Sequence, residues 1–509
     1  MKKKIDELLN NINGYPLDNE QRKVVTSCEK HLLVSAGAGS GKTLTIIGKI
    51  RYLIEIKDIK EEEILCISFT NEATNNLKNK LKDNYNYNIT CYTFHKLGLE
   101  ILKKKKCKIS SANYLKYIMN EFFKALIDNE SKKRVLSFFK IKYNAFNVNK
   151  KYDEIDDKKL LEFCDLIEKF INLFKANDYL PEDFLIFLKS ASKREKNFIL
   201  IAYYIYYLYQ KELMSKNEID FSDMISLATK YVEKNGYYRK IKYVIIDEFQ
   251  DASKVRFNLI KAILSKTDAS LLVVGDDFQS IYRFTGCDLD LFLKFNDIFP
   301  DSKILKICNT YRNSKELITV AGSFIMKNKN QLRKELNSFK RVKYPIWIIY
   351  YKDMIRSFIK LINYIYNESK KPILVLGRNN FDIDFLKKSN KFIIDKDSVI
   401  YKDNKDIKMT YLTVHRSKGL EEENVIVINL CNNKLGFPNK IVDERILRFV
   451  SCKKDNYLYA EERRLFYVAI TRTKNITYLF TPFSNESMFV MELKKDYRSK
   501  IKIVRNDKF

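Results

Sequence analysis

Short, continuous runs of apolar residues recur along the first part of the chain, and small or polar residues follow each run. The runs lie at 32–34, 64–67, 243–246 and 271–274, and the residues after them include a glycine loop, an Asp-Glu pair and a Gly-Asp-Asp segment. Apolar runs of this length are typical of parallel strands buried on both faces. Because polar groups after such strands gather at one edge of the sheet, the pattern predicts a ligand site there.

A second set of strand-like runs lies at 373–376, 409–413, 425–428 and 477–480, and it predicts a second α/β domain. The stretch between about 99 and 213 differs from both sets. It has a helical pattern, dense lysine and aromatic content, and no strand pattern. We interpret it as a helical subdomain.

These patterns predict an α/β fold with two parallel-sheet domains. The first domain comprises residues 1–98 and 214–302, and the helical subdomain 99–213 is inserted into it. The second domain comprises residues 303–509, in which the connection at 379–408 is short and polar.

The charge of the chain favours a polyanionic partner. The 509 residues include 93 Lys and Arg against 64 Asp and Glu, a formal net charge of +29. Positive side chains that neutralise phosphates release counterions, which favours nucleic-acid binding. The alternative is a general compositional bias, because Lys, Asn, Ile and Tyr are abundant throughout the chain.

Other sequence features argue against a membrane or a metal cluster. The longest stretch free of charge, 197–210, is shorter than the roughly 18 apolar residues of a membrane span. The N-terminus lacks the apolar core of a secretion signal, so we expect a cytoplasmic protein without a membrane partner. The nine cysteines show no CxxC spacing, which favours reduced thiols over a metal site.

The loop after the first apolar run is typical of a phosphate site. Its residues are Ala36, Gly37, Ala38, Gly39, Ser40, Gly41, Lys42 and Thr43. Small residues allow backbone N–H groups to close on phosphate oxygens at a helix N-terminus. We expect Lys42 to contact the β- and γ-phosphates of ATP and Thr43 to bind Mg²⁺.

Residues after the third and fourth runs supply the remaining chemistry of an ATPase. Asp247 is placed to contact Mg²⁺, and Glu248 is placed to orient the attacking water. Gln279 is a candidate sensor of the γ-phosphate. Tyr282 and Phe284 offer aromatic faces on which a base can stack, although a single aromatic is more often a core residue.

Further segments occur in a defined order, and together they resemble the UvrD/Rep-like branch of superfamily 1 helicases, its helicase IV-like members most of all. The segments lie at 17–21, 69–73, 93–97, 219–224, 309–314, 413–421 and 462–472. The resemblance implies two RecA-like motor domains of the P-loop NTPase fold, with a helical insertion in the first and a nearly absent insertion in the second. It also implies an ATP- and Mg²⁺-dependent motor that moves 3′-to-5′ on single-stranded DNA.

The resemblance assigns roles to individual residues. Gln21 corresponds to an adenine-reading residue, Tyr311 to an adenine-stacking residue and Glu421 to a ribose contact. Arg312 and Arg472 correspond to positions that stabilise charge on the transferred phosphate, and Lys42, Asp247, Glu248 and Gln279 complete the catalytic set. The expected contacts to the DNA strand are Phe69, Thr70, His95, Tyr282, Phe284, Thr413 and His415.

Three departures from the family pattern bear on the output of the motor. Phe284 replaces a common Trp, and Thr285 replaces a common Arg. The connection 379–408 leaves no room for the large subdomain that regulates unwinding in relatives. The leading hypothesis is a DNA helicase acting on single strands or tailed duplexes. One alternative is an ATPase that strips proteins or serves a repair or antiphage-defence partner, and another is an ATP-gated assembly module.

Overall fold

The computed structural model describes residues 2–103, 107–453 and 455–505. The strands are β1 His31–Ala36, β2 Ile64–Ser68, β3 Thr90–Thr93, β4 Lys108–Ile109, β5 Glu218–Ile219, β6 Tyr243–Ile246, β7 Ser270–Gly275, β8 Lys303–Ile307, β9 Ile346–Tyr351, β10 Ile373–Gly377, β11 Phe392–Asp395, β12 Ser398–Tyr401, β13 Lys408–Thr413, β14 Glu422–Val427, β15 Thr473–Pro482 and β16 Ile501–Val504.

The α-helices of the described residues are α1 Lys2–Asn10, α2 Asn19–Thr26, α3 Lys42–Glu55, α4 Asn71–Tyr85, α5 Phe94–Leu102, α6 Tyr114–Glu121, α7 Asn129–Phe138, α8 Val148–Asp153, α9 Asp157–Ala176, α10 Asp183–Ser190, α11 Lys193–Ser215, α12 Phe221–Asn235, α13 Lys254–Thr267, α14 Asp290–Leu293, α15 Phe295–Ile298, α16 Lys315–Met326, α17 Met354–Ser369, α18 Asp384–Lys387, α19 Ala460–Ile470 and α20 Met488–Asp496. Among them, no helix combines the length and the apolarity that crossing a membrane requires.

The first sheet has the order β3-β2-β6-β7-β1-β8, and its strands pair in parallel. Side chains alternate between its two faces, as the pleat of a strand demands. Leu32 and Val34 pack on one face with Ile46 of α3, whereas Leu33 packs on the other face with Ile246. Burial on both faces explains why the predicted runs lack polar residues.

The second sheet has the order β11-β12-β13-β10-β14-β15-β9-β16. Its pairs are parallel except at one edge, where β11, β12 and β13 pair antiparallel. Ile348 packs on one face and Ile349 on the other. The eight predicted runs correspond to β1, β2, β6, β7, β10, β13, β14 and β15, and the prediction of an α/β fold built on parallel sheets is confirmed.

Strand β8 differs from the prediction that the second domain begins at residue 303. It pairs in parallel with β1 and completes the edge of the first sheet. Its sequence, Lys-Ile-Leu-Lys-Ile, leaves the lysines at the exposed edge and therefore lacks the continuous apolar run of a central strand. The chain passes to the second sheet only after this strand.

Short strands also occur in two stretches that were not predicted to contain them. Within 379–408, β11 and β12 form an antiparallel hairpin that extends the second sheet. Within 99–213, the two-residue strand β4 pairs with β5, which lies just after this stretch. Such short edge strands carry too few residues for a periodic apolar signal.

Helices α6 to α11 enclose an aromatic core that includes Phe163, Phe170 and Phe198. Three residues from the connection between β14 and α19 are buried in the same core, namely Ile446, Leu447 and Val450. The second half of the chain is therefore packed into the helical region as well as against the first sheet.

Candidate active site between the two sheets

The glycine loop joins the carboxyl end of β1 to α3, which begins at Lys42. Gly39 and Gly41 have φ angles of 70° and 76°, in the left-handed region that glycine adopts without strain. Backbone N–H groups at the start of a helix are free to bind an anion. The loop therefore has the backbone geometry that a phosphate site requires.

Residues that follow β8 close over this loop. Thr310 donates its hydroxyl to the Ala38 carbonyl at 2.7 Å, and the Tyr311 N–H donates to the Gly39 carbonyl at 2.9 Å. A Cβ atom on Gly39 would lie 2.5 Å from the Cβ of Arg312. Position 39 thus requires glycine for its φ angle and also for the close approach of Arg312.

The predicted adenine-side residues lie together at the start of α2. Asp18 and Gln21 form a reciprocal capping box, and the Gln21 amide donates to the Ser40 carbonyl at 3.1 Å. The Tyr311 hydroxyl donates to Asp18 Oδ2 at 2.7 Å. The Tyr311 ring remains 55% exposed, so one aromatic face stays accessible beside the loop.

Lys42 and Glu248 meet at the centre of the site, where Lys42 Nζ lies 2.7 Å from Glu248 Oε1. Burial by itself would raise the pKa of Glu248. The ammonium groups of Lys42 and Lys418 outweigh burial and hold that pKa well below its usual range. Glu248 is therefore ionised at neutral pH, as a carboxylate that orients water must be.

Asp247 precedes Glu248 and lacks an equally strong positive partner. Burial, and then the charge of Glu248, raise the pKa of Asp247 to about 6 despite the nearby lysines. A divalent cation would stabilise its ionised form, and Thr43 adds a hydroxyl at the start of α3. Hard oxygen ligands of this kind suit Mg²⁺, so the residues present fit the predicted ion.

Lys418, which follows β13, brings a positive charge from the second sheet into the site. Its Nζ donates to Asp251 Oδ2 at 2.5 Å and to the Gln279 carbonyl at 2.9 Å, and it lies 3.8 Å from Glu248. Lys418 is not among the predicted site residues. Its position inside the 413–421 segment was the only signal in the sequence.

Gln279 and Arg472 connect the two sheets directly. Arg472 Nη2 donates to Gln279 Oε1 at 2.8 Å, although the residues are 193 positions apart. Only 1% of Arg472 is exposed, and burial, followed by repulsion from Arg312, lowers its pKa to about 9. The guanidinium therefore stays charged at neutral pH while it faces the first sheet.

Arg312 forms an ion pair with Glu421, which also lies 3.3 Å from Lys474. The predicted ribose contact is thus held by two basic residues. The structure brings the predicted catalytic residues into one cleft, with Lys42, Asp247, Glu248 and Gln279 on the first sheet and Arg472 on the second. Arg312 closes over the glycine loop between them.

Two aromatic groups line the surface beside this cleft. In the first, the ring of His415 lies 5.4 Å from Phe284 and 6.2 Å from Tyr282. The Tyr282 hydroxyl donates to the His415 carbonyl at 2.8 Å, which fixes the tyrosine, whereas Phe284 is 46% exposed. Phe284 is therefore the more accessible stacking surface.

In the second group, the ring of His95 lies 5.0 Å from that of Phe221. The ring of Phe69 lies 5.2 Å from that of Phe94, and the Arg256 guanidinium lies 5.4 Å from the Phe69 ring. His95 and Phe284 both line a cavity of about 410 Å³. Two predicted strand contacts from different segments thus share one concave surface, and the ring of His415 lies next to Phe284 at its side.

The two predicted threonine contacts have local structural partners. The Thr70 hydroxyl accepts the Ala73 N–H at 3.1 Å and caps α4. The Thr413 hydroxyl accepts the Arg416 N–H at 3.4 Å. Neither threonine lines the cavity that contains His95 and Phe284.

Arg283 joins the first sheet to the second at the position next to Phe284. Its guanidinium lies 2.8 Å from Glu461 and 2.7 Å from Asp443, and Asp443 also binds Lys169 of α9. Thr285, which replaces an arginine of the family pattern, is exposed and makes no such bridge. Arg283 therefore supplies a charged connection between three parts of the chain.

His95 and His415 are expected to remain neutral from pH 8 down to pH 6. Burial, with Arg256 near His95 and Arg378 and Lys418 near His415, lowers both pKa values to about 4. As pH falls, both histidines are protonated in the unfolded chain before they are protonated in the folded protein. The stability that the two neutral histidines contribute is therefore lost as pH falls from about 6.5 towards 4. NMR of histidine-labelled protein can test this, since the chain has three histidines. Comparison with His95→Asn and His415→Asn would assign each histidine signal. A titration midpoint above pH 6 for either histidine would contradict the expectation.

These features define a nucleotide-binding class of protein, in which a glycine loop and an acidic pair on one parallel sheet face an arginine from a second sheet. The UvrD/REP helicase N-terminal domain family matches residues 17–300, and the UvrD-like helicase C-terminal domain family matches residues 393–481. The chain belongs to the UvrD/REP family of ATP-dependent DNA helicases.

Individual relatives agree with this assignment. The chain is 26% identical to DNA helicase IV of Escherichia coli over 502 residues, which cover 95% of the chain and 71% of that protein. It is 30% identical to a probable DNA helicase II homolog of Mycoplasma capricolum, across 65% of the chain and 43% of that protein. It is 29% identical to the ATP-dependent DNA helicase Rep of Buchnera aphidicola, across 73% of the chain and 55% of that protein. The chain thus spans about half the length of the last two relatives.

Proposed function

We propose that this chain is an ATP-dependent helicase or translocase that moves 3′-to-5′ on single-stranded DNA and hydrolyses ATP between its two sheets. The observation that carries the proposal is the bond from Arg472 of the second half to Gln279 of the first. A charge that crosses the cleft makes hydrolysis depend on the relative position of the two halves, as a motor requires.

We further propose that the two sheets are RecA-like motor domains. The first comprises residues 1–98 and 214–302 together with β8, and it carries the helical insertion 99–213. The second comprises the remainder to residue 509, with a minimal insertion at 379–408. The strand pairing supports this division, since it is parallel throughout the first sheet and parallel in the second sheet except at the β11–β13 edge.

The catalytic cycle follows from the Lys42–Glu248 pair. The phosphates of ATP would compete for the Lys42 ammonium, and Glu248 would then be free to orient the attacking water. Thr43 and Asp247 would hold Mg²⁺, which neutralises phosphate charge when bound. Gln279, Arg312 and Arg472 would then contact the transferred phosphate, while Gln21, Tyr311 and Glu421 hold the adenosine.

The DNA strand would lie along the concave surface that contains His95 and Phe284. Exposed aromatic rings allow bases to stack without sequence preference. Arg256 lines the same cavity and can neutralise a phosphate, whereas Lys169, which also lines it, is paired with Asp443. We propose Phe69, His95, Tyr282, Phe284 and His415 as the main contacts, whereas Thr70 and Thr413 would contribute through the backbone turns that they cap.

Single-stranded DNA is expected to stimulate ATP hydrolysis strongly, and duplexes with a 3′ tail are expected to be unwound in preference to duplexes with a 5′ tail. The measurements are a phosphate-release assay with and without an oligonucleotide and a strand-separation assay on both substrates. Folded protein whose hydrolysis ignores DNA would contradict the motor function, and preferential opening of 5′-tailed duplexes would contradict the polarity.

The second candidate function is a DNA-stimulated ATPase that displaces proteins or serves a repair or defence partner without processive unwinding. The observation that favours it is the 379–408 stretch, whose β11–β12 hairpin belongs to the second sheet rather than to a separate subdomain. Stimulated hydrolysis without strand separation, together with displacement of a protein block from single-stranded DNA, would support this alternative.

A further inference from the structure

Lys334 is a buried lysine that is connected to Gln279 through one intervening side chain, Asp276. The side chain of Lys334 is 0% exposed, as are those of Asp276 and Asp277. Lys334 Nζ lies 2.5 Å from Asp276 Oδ1 and 2.7 Å from Asp277 Oδ1, and it also lies 4.0 Å from the centroid of the Phe278 ring. Burying a charge is costly unless it is paired, so this arrangement needs all three groups.

The Asp276 carboxylate uses both oxygens. Oδ1 accepts from Lys334, and Oδ2 accepts from Gln279 Nε2 at 2.7 Å. This second bond determines which end of the Gln279 amide faces the cleft. Because Nε2 points to Asp276, Oε1 is left to accept from Arg472 at 2.8 Å.

The segment that carries Lys334 also contacts the glycine loop. A Cβ atom on Gly37 would lie 2.4 Å from Leu336 Cδ2, and the Thr310 N–H donates to the Asn337 carbonyl at 2.8 Å. Lys334 is thus fixed to the loop on one side and to the Gln279 turn on the other.

We propose that Lys334 is a positioning residue for ATP hydrolysis: it orients the Asp276 carboxylate, which holds the Gln279 amide with its oxygen towards Arg472. Lys334 itself does not touch the nucleotide. Its loss would leave Asp276 as a buried charge without its cation. Without that pairing the carboxylate would lose its fixed position, and so would the Gln279 amide that it holds. This role rests on the proposed ATPase function.

Asp276→Asn and Asp277→Asn form a matched pair that separates positioning from stability. Each substitution puts an amide N–H₂ where two donors need acceptors, since Asp277 Oδ2 accepts the Leu332 N–H at 2.9 Å. The two variants therefore have similar local conflicts, but only Asp276 contacts Gln279. We expect Asp276→Asn to lower kcat by about 10- to 100-fold with KM for ATP little changed, and Asp277→Asn to retain kcat within about threefold.

The role of Lys334 itself is tested by a double-mutant cycle. Lys334→Met alone should lower kcat by about 10- to 100-fold. In a Gln279→Ala background it should lower kcat by less than about twofold, because Lys334 affects catalysis only through the orientation of Gln279. Lys334→Arg, which keeps the charge, should restore part of the activity. Lys175→Met is the matched control, since Lys175 is a buried lysine paired with Asp220 and Asp223 in the helical region. It should lower the melting temperature without lowering kcat.

The outcomes separate this role from the proposed function. If the unsubstituted protein does not hydrolyse ATP, both are overturned. If it hydrolyses ATP but the Lys334→Met and Gln279→Ala effects multiply, or Asp276→Asn and Asp277→Asn reduce kcat equally, Lys334 is only structural. Should Lys334→Met fail to fold, the aspartate pair decides the question by itself.

Discussion

Replacing Lys42 with alanine is expected to lower the kcat of DNA-stimulated ATP hydrolysis by at least about 10²- to 10³-fold. Lys42 begins α3 and is the positive side chain of the glycine loop, so the transferred phosphate would lose its nearest charge stabilisation. Glu248 would also lose its 2.7 Å partner and would keep the Gln250 amide, at 2.5 Å, and the more distant Lys418 ammonium, at 3.8 Å. Phosphate release measured at saturating ATP and DNA gives this number.

Binding of single-stranded DNA should persist in Lys42→Ala, because the aromatic surface around Phe284 does not depend on the glycine loop. Lys49→Ala is the matched control. Lys49 is a buried lysine on the same helix, and its Nζ donates to the carbonyls of Val25 and Ser27 away from the cleft. This variant should be less stable but should retain kcat. Undiminished hydrolysis in Lys42→Ala would refute the role given to that lysine.

The central strands could be predicted from sequence because both of their faces are buried. Strand β7, for instance, is apolar from Leu271 to Val274, and β10 from Ile373 to Leu376. Edge strands carry a weaker signal. In β8 the lysines at 303 and 306 interrupt the apolar pattern, and its position in the first sheet depends on pairing with β1, which no local pattern encodes.

The predicted site residues come from segments that are distant in sequence, and sequence reasoning grouped them only through order and family likeness. What it did not predict is how each buried charge of the site is neutralised by other side chains. Lys418 and Lys334 illustrate this, since each is one lysine among many in a highly basic chain. Only the fold shows that Lys418 meets Asp251 and that Lys334 meets Asp276.

Replacing Arg472 with alanine is expected to lower kcat by about 10³-fold or more, the scale on which a single arginine stabilises phosphoryl transfer. Arg472 provides the bond to Gln279, and its Nη1 donates to the Leu420 carbonyl at 3.3 Å, next to Glu421. The substitution therefore removes a charge from the cleft and loosens the ribose-side segment. ATP binding should weaken much less than turnover, because Lys42 and the loop remain.

The link between the two halves makes a second readout decisive. If Arg472 senses the nucleotide across the cleft, DNA affinity should change with ATP in the unsubstituted protein but not in Arg472→Ala. Arg463→Ala is the control, since Arg463 is a buried arginine of α19 whose ion pair with Glu492 lies within the second half. It should lower stability and leave both kcat and the ATP effect on DNA affinity intact. Equal losses in the two arginine variants would mean that Arg472 acts only by supporting the fold. A selective loss in Arg472→Ala would place the coupling of hydrolysis to movement at Arg472, whose guanidinium binds both Gln279 and the Leu420 carbonyl.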